Sequence, residues 1–148
     1  MLIQEMTREE CREFLARTSL GRLACEMDDQ PYNVPVYLIY DGTYLFGFAT
    51  MGHKIDCMRS NPRVCVEFDD IKAPNQWVSV VIYGNYEELP DKSEYKTARN
   101  HAYELLRKRA MWWEPASVGV ENQINSLSLS PVFYRIFIDQ MTGRRALP

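Results

Sequence analysis

Short runs of β-branched and aromatic residues, separated by turn residues, dominate this chain. Six strand-like runs lie at Leu20–Met27, Tyr32–Tyr40, Tyr44–Thr50, Arg63–Phe68, Trp77–Leu89 and Val132–Ile138. Such residues fit a pleated, half-buried surface. Asp41-Gly42 between the second and third runs is a hairpin signal, and Asp28-Asp29-Gln30-Pro31 reads as a turn. Six strands with mostly hairpin-length connections predict a mainly β, α+β fold: a six-stranded antiparallel barrel with helices capping its ends. A small barrel fills its interior with its own side chains, so a large ligand has to sit outside it in a groove.

Details of the runs sharpen this expectation. Pro35 cannot donate to a ladder, so it marks an edge or a bulge. Gly84 marks a bulge or bend within the fifth strand. In the last run Phe133, Arg135 and Phe137 alternate with Tyr134, Ile136 and Ile138, which predicts burial on both sides at its centre. Asp69–Gln76, polar and containing a proline, reads as a loop, and Thr142–Pro148 as a basic tail that includes Arg144 and Arg145.

Three segments read as helices. Thr7 with Glu10 forms a capping box for a helix over about 7–17, with Cys11, Phe14 and Leu15 on one face. A helix of about two turns follows Gly52 and stops before Pro62. A third, over 92–110, carries Ala98, Ala102, Leu105 and Leu106 on its apolar side. Residues 115–130 have little periodicity and predict a long loop with one helical turn, of the kind that covers something.

With 148 residues, a single domain over 1–148 is expected. A net charge of −3 argues against a general nucleic-acid binder. No apolar run approaches membrane-spanning length and no signal-peptide core follows Met1, so a cytoplasmic protein without membrane association is expected. The four cysteines, Cys11, Cys25, Cys57 and Cys65, form no CxxC pair, which disfavours a structural metal site or a disulfide framework.

The chemistry concentrates in Phe46–Pro62. Here a strand runs through Gly52 into a helix that opens with His53 and Lys54. Free N–H groups at a helix start, with a cation beside them, hold a phosphate. Lys54 is the leading candidate, and His53, only partly charged near neutral pH, is a second. Thr50 leads into this turn. Arg59 either shares the anion or lies on a solvated helix face. Trp112 and Trp113 are flat surfaces for stacking on a ring, for walling a substrate pocket or for a dimer contact. No GxSxG, HExxH or P-loop is present, and no nucleophile–base pair.

The segment Gly52-His53-Lys54 to Asn61-Pro62-Arg63-Val64 resembles the phosphate-binding segment of the FMN-binding split barrels, the pyridoxamine 5′-phosphate oxidase-like proteins. Trp77–Gly84, Trp112-Trp113-Glu114-Pro115 and Ile138–Ala146 are similar to the branch that includes the nitroimidazole reductases. The resemblance spans about Thr7 to Ala146. It implies a homodimer with FMN at the subunit interface. The second strand then borders the flavin through Val34, Pro35, Val36 and Tyr37, the third through Phe48, Ala49 and Thr50, and the fifth through Ser79. Lys54 matches the second of a basic pair, and His53 stands where the first is usually arginine. Gly47 aligns with a histidine of some nitroimidazole reductases, and glycine there implies more room over the ring.

The function implied by this resemblance is that of an oxidoreductase in which FMN carries the redox chemistry. It would reduce a small substrate, of nitro or quinone type, with a nicotinamide donor. Alternatives are a non-catalytic flavin carrier or sensor, or a split barrel that binds haem or deazaflavin F420. Haem would have to take His53 or His101, the only two histidines, as its histidine ligand.

Overall fold

The computed structural model describes residues 1–108 and 131–148. Its elements are β1 (Leu2–Glu5), α1 (Arg8–Ala16), β2 (Leu20–Met27), β3 (Gln30–Tyr37), β4 (Ile39–Tyr40), β5 (Tyr44–Thr50), α2 (His53–Ser60), β6 (Arg63–Ala73), β7 (Gln76–Glu88), α3 (Lys96–Leu106) and β8 (Pro131–Leu147). All the strands join one antiparallel sheet in the order β3-β2-β6-β7-β8-β5-β4, with β1 added alongside β8. The mainly antiparallel, split-barrel expectation therefore holds, with eight strands in place of six.

The two ends of the strand order are consecutive in sequence. Only Leu38 separates β3 from β4, so the second predicted strand is two short ones. The first half pairs with β2 and the second with β5. At the break the Leu38 amide donates to the Ser19 carbonyl at 2.8 Å. The sheet thus curls back toward itself without a continuous ladder across the seam. Pro35 lies opposite Arg22 in an unbroken β2–β3 register and needs no bulge, because β3 is an edge strand. The bulge expected at Gly84 is present, as a register shift between Tyr83 and Gly84.

Two other expectations need correction, and one strand was not foreseen. The predicted loop after Phe68 is mostly strand: β6 runs on to Ala73 and turns tightly into β7. The basic tail is the end of β8, paired on one side with β7 and on the other with β1. β1 itself escaped the sequence reading. Its four residues gain their partners only from a strand some 140 positions later. Local polarity describes a side chain's solvent exposure, and a two-sided ladder can form under polar side chains.

Burial follows the alternation. The barrel interior takes Leu23, Cys25, Leu45, Ala49, Val64, Val66, Phe68, Val80, Ile82, Val132, Tyr134 and Ile136. A second cluster, with Phe46, Phe48 and Phe133, packs beneath Ala102 and Leu106 of α3. The last strand is buried on both faces only at its start, Val132–Tyr134; further along Ile136 is buried while Phe137 is 46% exposed, so the two-sided burial expected at its centre is not met. The capping box of α1 is formed, with the Glu10 amide donating to Thr7 Oγ1 and the Thr7 amide to Glu10 Oε1, each at 3.2 Å. The third helix is α3, shorter than predicted and led by a 3₁₀ turn at Ser93–Tyr95.

Candidate functional site

The β5–α2 connection is built as an open helix start. α1 begins with a complete capping box, whereas α2 begins at Gly52, which supplies no side-chain cap. Gly52 is extended (φ −177°), and a Cβ there would meet nothing closer than the Thr50 carbonyl oxygen at 4.0 Å. Neither backbone strain nor crowding requires glycine here, so its bare backbone leaves room for an approaching group. The first residues of the helix are His53 and Lys54, and Asp56 follows. The His53 ring stands edge-on to Tyr32 of β3, with centroids 4.5 Å apart. Ile55, Cys57 and Met58 anchor the helix in the interior cluster.

The Asn61-Pro62 stop has a definite job. Asn61 Nδ2 donates to Glu26 Oε2 of β2 at 2.9 Å, and its Oδ1 accepts from the Arg63 amide at 3.1 Å. The stop therefore ties the end of α2 to β2 and starts β6. Arg59 is engaged elsewhere: it forms a two-pronged pair with Glu88, at 2.8 and 3.0 Å. Its side chain stays 44% exposed, so it lies on a solvated helix face, the second of its two expected uses, while it holds this pair.

The other predicted residues are divided among the barrel interior, the α3 side and the outer sheet face. Ala49 is interior, Thr50 half-buried, and the Phe48 ring faces Phe133 at 5.1 Å under α3. On β3, Val36 points inside, Tyr37 joins the α3-side cluster, Val34 is half-buried and Pro35 exposed. Ser79 lies on β7, with β2 and β6 between it and β3. It lines a groove of about 460 Å³ with Glu5, Trp77, Val81, Thr142 and Arg144 among its walls. Trp112 and Trp113 lie outside the described residues.

One expectation fails outright. Gly47 does not open space for a ligand. A Cβ on Gly47 would come within 2.4 Å of Tyr134 Cζ and 2.8 Å of Leu38 Cδ2. The phenol ring of Tyr134, 1% exposed, already fills that volume. Gly47→Ala should therefore lower stability by about 1–3 kcal/mol, the usual cost of an extra methyl in a packed core. Denaturant unfolding checks this, and an unchanged midpoint would show that Tyr134 moves aside freely.

Sequence reasoning missed a cluster beside Ser79. Arg22, Glu67 and Asp69 share the outer face with it. Arg22 Nη1 pairs with Asp69 Oδ2 at 2.8 Å, and Ser79 Oγ donates to Glu67 Oε2 at 3.5 Å. The signal was available: Glu67 and Asp69 are two apart on a strand whose Val64, Val66 and Phe68 face inward, so both carboxyls face outward. The Glu67 carboxyl is pushed up to about 7, first by burial and then by hydrogen bonding and repulsion from Asp69. Arg22 and Ser79 oppose this.

That shift has a sign. Below about 4.5 the folded and unfolded chains both hold the proton. Between there and about 7 only the folded chain keeps it, so this contribution to stability falls as pH rises through the window and is flat above it. Glu67→Gln should lose less stability than the parent between pH 5 and pH 8 in denaturant titrations. Equal losses would remove Glu67 as the source.

The thiols carry no comparable chemistry. Burial raises Cys11, Cys25 and Cys65, with Cys25 pushed up to about 12 by burial and a hydrogen bond with Cys57. Such thiols are poor nucleophiles. Among the described residues no group of His, Cys, Asp and Glu is arranged to hold a metal ion, and no helix is long and apolar enough to cross a membrane.

Residues 7–145 match the model of the pyridoxamine 5′-phosphate oxidase family. The chain belongs to this family. An uncharacterized protein of Rhizobium meliloti is 42% identical over 99% of the chain and 97% of its own length. An FAD-binding protein of Mesorhizobium loti is 40% identical, with TM-score 0.81, covering 100% of this chain and 99% of that one. An FAD-binding protein of Mycobacterium smegmatis shares the fold at 19% identity, with TM-score 0.67 over 97% and 100% of the two chains. Membership accounts for the split sheet.

Proposed function

We propose that this chain is a flavoprotein that holds FMN at the start of α2 and passes reducing equivalents from a nicotinamide donor to a small substrate of nitro or quinone type. The observation that carries the reading is the helix opening at Gly52. It lacks a side-chain cap, has space before it and presents His53 and Lys54 in its first turn. A phosphate dianion meets backbone N–H donors, the positive end of the helix dipole and a lysine there. Family membership supports the same reading.

The residues divide the work. Lys54 and His53 bind and orient the phosphate, with Thr50 beside the ribityl chain. The outer sheet face, from Pro35 across to Ser79, is the surface for the ring. Bound flavin supplies the hydride and electron chemistry, so the chain needs no nucleophile of its own. The site sits on a sheet face rather than in a closed pocket, which favours a second copy of the chain as its cover, in a homodimer in the cytoplasm.

A second cofactor reading has its own support, since the Mesorhizobium loti protein at 40% identity is described as FAD-binding. FAD contains the same phosphate next to the ribityl chain, so the α2 anchor serves either molecule. Mass spectrometry of cofactor released by denaturation separates them. For the activity, flavin-loaded protein should consume NADH or NADPH in the presence of a nitroaromatic or a quinone. Bound flavin without turnover would support a carrier or sensor instead.

A further inference from the structure

The outer face between Pro35 and Ser79 contains an oxygen whose needs the described residues leave unmet. Glu67 Oε1 is buried and has no hydrogen-bond partner among the described residues. The closest cation, Arg22 Nη1, is 3.8 Å away, too far for a hydrogen bond, and it is already engaged by Asp69 at 2.8 Å. Ser79 satisfies the other carboxyl oxygen, Oε2. A buried acceptor left unmade costs about 1–3 kcal/mol, so such atoms call for an explanation.

Register shows what lies over it. Pro35 pairs with Arg22, Arg22 with Glu67, and Glu67 with Val81, which gives one row across four strands. Ser79 is two residues along β7 from Val81 and faces the same way. Glu67 lies between the two positions, two strand spacings of about 4.8 Å from Pro35 and one from β7, so a planar ligand laid across this face from either side comes over it. We infer that Glu67 is a ligand-reading residue of the flavin site, its Oε1 accepting a hydrogen bond from the imide N–H of the bound ring. The assignment rests on the flavin reading above. The preference of Glu67 for its protonated form does not conflict with it, because a neutral carboxyl still offers the carbonyl oxygen as an acceptor.

The test uses full-length protein, FMN and FMN methylated at the imide nitrogen, with dissociation constants read from flavin fluorescence. The parent should bind the methylated flavin about ten-fold or more weakly, the loss expected when a buried charged or polar group is left unpaired. Glu67→Ala should bind FMN more weakly and no longer distinguish the two flavins. Glu67→Gln keeps an acceptor in the same shape and should still distinguish them, which separates ligand reading from any loss of fold in the alanine variant. Equal binding of the two flavins by the parent would overturn the assignment, as would discrimination that survives in Glu67→Ala while the flavin reading stands. If the parent binds neither flavin, the flavin reading falls and takes this assignment with it.

Discussion

Gly84→Ala is expected to destabilise the fold by about 3 kcal/mol, at the upper end of the usual cost of overpacking. A Cβ at Gly84 would stand 2.2 Å from the Phe137 carbonyl oxygen and 2.8 Å from Ile136 Cγ2. The first of these is backbone, in the strand to which β7 is bonded on either side of the bulge, so it cannot rotate away as a side chain would. Relief requires β7 and β8 to separate where the ladder is already irregular. For a domain of this size the loss should lower the melting temperature by roughly 6–12 °C. Gly52→Ala is the control. Its backbone is extended and its surroundings open, so the change should cost less than about 1 kcal/mol. Thermal and denaturant unfolding of the two variants read this directly, and equal stabilities would contradict the steric account.

Lys54→Ala should weaken FMN binding about ten-fold or more, because a hydrogen bond to a charged group contributes roughly 1.5–3 kcal/mol. Riboflavin, which lacks the phosphate, should lose little affinity in the same variant. Rising salt should narrow the difference between variant and parent for FMN, since the contact is partly screened. Fluorescence titration with the two flavins provides the measurement. An unchanged FMN dissociation constant would remove Lys54 from the site, and an equal loss for riboflavin would move its action from the phosphate to the ring.

The sequence carried those parts of the fold whose causes are local. The capping box at Thr7 and Glu10, the hairpin turn at Asp41-Gly42, the Asn61-Pro62 stop and the bulge at Gly84 each depend on a few adjacent residues, and each is where its chemistry predicts. β1 and the far end of β8 depend on each other across nearly the whole chain, so neither segment shows a strand signal alone. The break at Leu38 is likewise set by which strands lie on either side of it, β2 or β5, and not by Pro35.

The candidate site divides in the same way. The glycine turn with His53 and Lys54 is a contiguous motif and could be found by inspection. The group of Arg22, Glu67, Asp69 and Ser79 comes from three strands and becomes a cluster only through register. Gly47 shows the reverse error. Alignment suggested open space, whereas a residue 87 positions later, Tyr134, occupies it.

The most direct test of the central claim is an absorbance spectrum of the purified protein before and after addition of FMN, with any released cofactor identified by mass. The account predicts a two-band flavin spectrum that stays with the protein through gel filtration. A colourless protein that takes up neither FMN nor FAD would contradict it, and would leave the Gly52–Lys54 turn as a structural feature or the seat of another anion.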